Sequence, residues 1–160
     1  MPAGQEFIKH EFDEAIAFQE TVVETVDILS RKHPVPDAKK LLKSQLATDK
    51  RHLAALKKYG KEYGATGKRE EVVEAMAGLA EETRAKAEQE ESEAYEAHAV
   101  LLTLKRKQQD SADAVVKIAR AERNDELRDA AKEMKREIKA GADELAKSLA
   151  DFAVRIATKG

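Results

Sequence analysis

The chain has no cysteine and no tryptophan, only three prolines and seven glycines, and aromatic residues fill 4% of its 160 positions. Without cysteine there are no disulfides, thiolate nucleophiles, zinc–thiolate centres or iron–sulfur clusters, so the fold stands on packing alone. Neither sign of charge dominates: 29 basic against 31 acidic residues leave a formal net charge of −2. That balance gives no global attraction to nucleic acid or anionic lipid. Basic clusters at Lys39, Lys40 and Lys43, at Lys57, Lys58 and Lys61, and at Lys105, Arg106 and Lys107 alternate with acids and read as solvated helix faces. No apolar run approaches the roughly 20 residues that span a bilayer. The stretch Met1 to Glu6 has neither a basic nor an apolar leader region. A soluble, cytoplasmic protein without nucleic-acid partners or stable membrane insertion is expected.

What the chain does contain is 42% hydrophobic and 38% charged residues, rich in the helix formers Ala, Glu, Lys, Leu and Arg. An all-α single domain is expected, with enough chain to bury roughly two thirds of its unfolded surface. Ile8, Phe12, Ala15, Gln19, Val22, Val26 and Leu29 recur in alternating steps of four and three, the seam of a bundled helix over residues 5–32. His33-Pro34-Val35-Pro36 stops it, and Asp37 is placed to cap a second helix over 37–63. That helix carries Leu42, Leu46, Asp49, Leu53 and Leu56 inward, with Gln45, His52 and Tyr59 bordering the stripe. Gly60, Gly64 and Gly67 end it. Gly64 to Lys68 lacks the Walker spacing, a following Ser or Thr and a preceding strand, which argues against a phosphate loop.

A crossover over 64–85, itself helical from near Arg69, leads to a third helix over 86–108. A turn is expected near Gln108-Gln109-Asp110, then a fourth helix over 111–140 and a C-terminal helix over 141–158. His10 and His33 read as surface residues, His98 as a boundary residue and Tyr95 as packing. No serine sits in a Gly-x-Ser-x-Gly elbow, and dinucleotide fingerprints are absent.

Asp49 and His52 stand at i and i+3 on one helical face. Counting outward from Pro34, Gln19 and Asp49 are each fifteen positions away and should lie level. Counting from Gln109, Glu93 falls level with Asp125 and Glu96 level with Glu122. Polar groups are therefore expected at mid-helix in both hairpins.

Glu93-Ala94-Tyr95-Glu96, Asp49-x-x-His52 and Glu122-x-x-Asp125, in this order of helices, resemble the motifs of rubrerythrin-type members of the ferritin-like superfamily. Asp49 stands where that family has Glu, and Asp125 where it commonly has His; the resemblance covers residues 8–127. It implies a four-helix bundle of two antiparallel hairpins joined by a crossover, with two iron or manganese ions held by inward carboxylates and imidazoles. The implied ligands are Glu20, Asp49, His52, Glu93, Glu96, Glu122 and Asp125, with Gln19 as an alternative on the first helix. The implied activity is oxidation of Fe(II) by oxygen or peroxide, as a ferroxidase or peroxidase-like oxidoreductase, in a homo-oligomer. Two other readings stay open on the residues. One is a non-enzymatic bundle that has lost the metal and acts through oligomerisation or partner binding. The other is an elongated hairpin over residues 70–150 whose acidic waist faces water.

Overall fold

The computed structural model describes residues 3–87 and 90–159 and is all-α. Its helices are α1 (Ala3–Lys32), α2 (Pro36–Glu62), α3 (Glu70–Ala87), α4 (Glu91–Ala121) and α5 (Asp125–Ala157). The four-three seam expected of α1 is buried at all seven positions, Gln19 included. On α2 the buried seam is rotated toward the stripe's polar border. Ala38, Leu42, Gln45, Asp49, His52, Leu56 and Tyr59 face inward, while Leu46 and Leu53 are half-buried.

The chain turn expected at 108–110 does not form. α4 continues through it, because Leu101, Leu104, Gln108, Ala112, Val115 and Ala119 keep one buried stripe without a break. The turn lies instead at Glu122–Asn124. The N–H of Asn124 donates to the carbonyl of Ala119 at 2.9 Å and that of Arg123 to Arg120 at 3.2 Å. This is the helix-ending motif that glycine serves, with Arg123 at φ +56° in the left-handed position. The side chain of Asn124 then caps α5, accepting from the N–H of Leu127 at 3.1 Å. The helices expected over 111–140 and 141–158 are consequently one helix from 125. The helix expected from 86 crosses residues 88 and 89, which lie outside the described residues.

Pairing across the helices fixes their directions. α1 and α2 are antiparallel, with the side-chain amide of Gln19 donating to the carbonyl of Asp49 at 3.0 Å, as counting from Pro34 requires. α4 runs opposite to α1: His98 meets His33 at one end, Gln108 meets Ala15 in the middle, and Val115, Val116 and Ala119 share a core with Ile8 and Phe12 at the other. α5 returns along α4, with Arg106 on Asp143 and Lys135 on Asp113, and lies antiparallel to α2, with Gln45 on Gly141 and Tyr59 on Glu126. α3 bridges the two hairpins, tied by Arg69 to Glu14 at its start and packed through Ala87 into the opposite half of the core. The hairpins thus lie side by side, in the order up, down, down, up, and not as one extended pair.

The glycine loop between α2 and α3 cradles a carboxylate of the chain itself. The N–H groups of Thr66 and Gly67 each donate to Asp13 Oδ1 at 2.8 Å. Gly67 has φ +77°, and a Cβ there would meet Ile16 Cγ2 at 2.7 Å. Burial pushes the Asp13 carboxyl up, but these N–H groups and Lys9 outweigh it and hold the group below its ordinary value.

Two apolar clusters make up the core, one around Phe12, Val115 and Leu127 and the other around Val26, Leu42, Leu101 and Leu145. Since a branched or long residue in the left-handed region is disfavoured, Arg123→Gly is expected to stabilise the protein by about 1 kcal/mol. Urea unfolding checks this, and unchanged or lower stability would contradict the assigned turn.

Candidate functional site

Between the two apolar clusters lies a layer of polar side chains contributed by three helices. Gln19 comes from α1, Gln45, Asp49 and His52 from α2, and Lys105 and Gln108 from α4, and all six are buried. Lys105 Nζ donates to Asp49 Oδ2 at 2.9 Å and to Gln45 Oε1. Gln45 Nε2 in turn donates to the carbonyl of Gly141 on α5 at 3.1 Å. Gln108 Nε2 donates to the carbonyl of Ala15 at 3.0 Å and to Gln19 Oε1 at 3.1 Å. The network therefore touches all four long helices.

Burial raises the Asp49 carboxyl above its ordinary range, against the pull of Lys105. The same burial lowers the Lys105 amine, against the pull of Asp49. Each group is costly in the interior alone; paired and further hydrogen-bonded, they compensate each other.

The residues implied as metal ligands are not brought together. Asp49 and His52 reach the layer, but the Asp49 carboxylate is engaged by an ammonium. Glu20 is half-buried on the side of α1 facing Lys57, 3.4 Å away. Glu93 is half-buried and Glu96 exposed near the start of α4. Glu122 is exposed at the α4 C-terminus, and Asp125 is exposed at the start of α5, bonded to Arg128 at 3.1 Å. The displaced turn explains this: levels counted from Gln109 do not exist, because the α4–α5 hairpin closes near residue 123. Among the described residues no group of three or more His, Asp or Glu could hold a metal ion. The donor set of this layer, three amides and an ammonium with one carboxylate, suits an internal cation of its own and not a di-metal centre.

Lys105 was expected on a solvated face, and its burial is the main departure at this site. A signal for it existed, since Leu101, Lys105, Gln108 and Ala112 follow the same four-three stepping as the apolar seams.

His52 packs into the layer without a hydrogen bond: both ring nitrogens are buried and unpartnered among the described residues. Glu137 Oε1 lies 3.7 Å from Nε2, beyond hydrogen-bond reach, because Arg51 holds that carboxylate from outside. Burial, opposed by Asp49 and Glu137, keeps the imidazole below its ordinary pKa.

A second polar group lies at the end of the bundle near the α1–α2 turn. His33 and His98, expected at the surface and the boundary, are 1% and 0% exposed. His98 Nε2 lies 3.2 Å from the carbonyl of Leu145, so it carries the proton, and Nδ1 is left to accept. His33 Nε2, 3.1 Å from that Nδ1, must then donate, while its own Nδ1 accepts from the N–H of Val35 at 3.0 Å. The chain of bonds assigns one neutral tautomer to each ring and joins the turn, α4 and α5. Phe152 packs on His33 with centroids 4.8 Å apart and meets Tyr95 edge-on at 6.0 Å.

The chain matches no protein-family model, no curated protein and no solved structure. Function is therefore read from the geometry of the layer and its surroundings.

Burial first, then electrostatic interaction with His98, Arg155 and Lys39, push the His33 imidazole down to about 4. Its unfolded value is near 6.5, so the folded state resists a proton that the unfolded chain accepts. The resulting stability is complete above about 6.5 and is lost as pH falls toward about 4. Urea unfolding at pH 7 and pH 5 is expected to differ by about 2 kcal/mol from this group. The difference should shrink in His33→Asn, whose amide oxygen can accept from Val35 without titrating. An equal pH slope in wild type and variant would contradict the assignment.

Proposed function

We propose that this protein is a ferritin-like four-helix bundle of rubrerythrin-type ancestry in which an internal lysine has taken over the structural part of a metal layer. It would act as a non-enzymatic module, through self-association or a partner. The observation that carries this reading is Lys105 Nζ on Asp49 Oδ2 at 2.9 Å, inside the bundle, at the level where Gln19 and Asp49 face each other. The up, down, down, up order with a long crossover supports the ferritin-like assignment. The exposure of Glu96, Glu122 and Asp125 supports loss of the metal. An ammonium that satisfies the carboxylate removes the repulsion that several inward carboxylates would create, so the layer closes without an added cation.

The alternative proposal, an iron- or manganese-binding protein that oxidises Fe(II) with oxygen or peroxide, draws on one specific observation. His52 lies beside Asp49 with both ring nitrogens unpartnered, as a ligand awaiting its metal would. Bound iron would supply the redox chemistry, and Asp49 and His52 are the residues that would hold it.

Metal analysis separates the two. Protein loaded with Fe(II) or Mn(II) and then dialysed is expected to retain far less than one ion per chain. Its melting temperature should be the same with and without chelator. Stoichiometric retention that is lost in His52→Ala would favour the iron reading. Analytical ultracentrifugation reads self-association in the same samples. Among the described residues no helix is long and apolar enough to cross a membrane.

A further inference from the structure

The metal-independent reading leaves His52 without a task, and a second buried polar atom is orphaned with it. Gln108 Oε1 is buried and has no donor among the described residues. Its amide cannot be turned over to satisfy it, because Nε2 already serves two acceptors on α1, the Ala15 carbonyl and Gln19 Oε1. Orphaned buried groups of this kind are uncommon and call for a partner.

Gln108 borders a space enclosed by α1, α2, α4 and α5, and His52 a space between α2 and α5. Gln108 lines an apolar chamber walled by Phe12, Leu56, Val115, Leu127 and Ile138, with about 20 Å³ free. His52 lines an outer recess of about 100 Å³ with Arg51, Glu133 and Glu137. Ala55, Ala130 and Met134 belong to both walls and are the partition between them. Two of the three are alanines, and the third is the unbranched, rotatable side chain best able to move aside. Were Met134 to swing away, the recess and chamber would join into one slot with an imidazole toward its outer end, an amide oxygen toward its inner end and mostly apolar walls between.

We propose that this slot binds a small neutral alcohol with an apolar body, of the phenol class. Its ring would lie against Leu56 and Met134 and its hydroxyl would bond to one of the two orphaned groups. Charge argues against an anion: Arg51, the cation lining the recess, is held by Glu137, and Lys105 in the adjoining layer is held by Asp49. Size argues against a long chain, since the combined free space approaches that of a cavity that takes one benzene ring. A hydroxyl matches both polar ends, as donor to Gln108 Oε1 or as donor or acceptor to neutral His52. A lone water in the inner chamber would meet few polar groups besides Gln108, which makes it a poor occupant. The inference goes beyond the structural role proposed for Lys105 and does not require it.

Titration of the full chain with phenol and with toluene, by calorimetry or NMR in the presence of EDTA, tests it apart from any metal. Phenol is expected to bind saturably at one site, about three- to tenfold more tightly than toluene, the worth of one hydrogen bond. Ala130→Leu, which fills the partition, should abolish binding. His52→Leu should reduce the preference for phenol if the hydroxyl meets the imidazole and leave it intact if it meets Gln108; either result supports the slot. In wild-type protein, nuclear Overhauser contacts should run from the phenol ring to the Met134 methyl, a readout independent of whether the variants fold. Absence of saturable phenol binding, equal affinity for toluene, or contacts elsewhere on the protein would each overturn the proposal.

Discussion

The ammonium of Lys105 lies inside the bundle on the carboxylate of Asp49, and each group is tolerable there only because of the other. Both are almost fully buried, and burial pulls each toward its neutral form. Around this pair the amides of Gln45, Gln19 and Gln108 spend their hydrogen bonds on one another's helices: Gln45 on α5, Gln19 on α2, Gln108 on α1. These bonds are directional and long-range in sequence, so they fix helix register in a way that the apolar clusters above and below do not. A one-residue slip of α4 would take Lys105 off Asp49 and leave two buried charges unpaired, which is costly enough to select against the alternative.

A second constraint acts at the end of the bundle near the α1–α2 turn, where His33 and His98 link the turn to the carbonyl of Leu145. At the opposite end, Asp13 gathers the N–H groups of the glycine loop, which sets the exit of α2 against α1 and the entry to α3. Three polar devices at three levels therefore hold the four long helices, with apolar packing between them. Among the described residues, His52 and the Gln108 carbonyl are left without hydrogen bonds by this scheme, and each lines a space that α2 and α5 help to wall.

The turn and register of the first hairpin were legible in the sequence, because its punctuation is strong, although α2 starts at Pro36 behind Val35 and not behind an Asp37 cap. Pro34 and Pro36 fix the turn, and seven positions in four-three stepping fix the α1 face, so counting places Gln19 level with Asp49 as found. The second hairpin was not, for a local reason. Gln108-Gln109-Asp110-Ser111 has turn composition, yet Gln108 and Ala112 continue the buried stripe, and the actual turn puts an arginine where glycine is usual. That single displacement carried Glu93, Glu96, Glu122 and Asp125 into a layer to which they do not belong. Lys105 and His33 were hidden differently. Charge and a neighbouring proline read as exposure, whereas burial of such groups depends on partners from other helices that periodicity alone does not reveal.

A double-mutant cycle measures the coupling between Lys105 and Asp49 directly. Stability would be determined by urea unfolding for wild type, Lys105→Met, Asp49→Leu and the double variant. Each single change should cost about 3 kcal/mol, since it leaves one buried charge without its partner. The double variant should be no less stable than either single variant, giving a coupling of about 3 kcal/mol or more. Additive effects of the two substitutions would contradict the claim that this pair closes the layer.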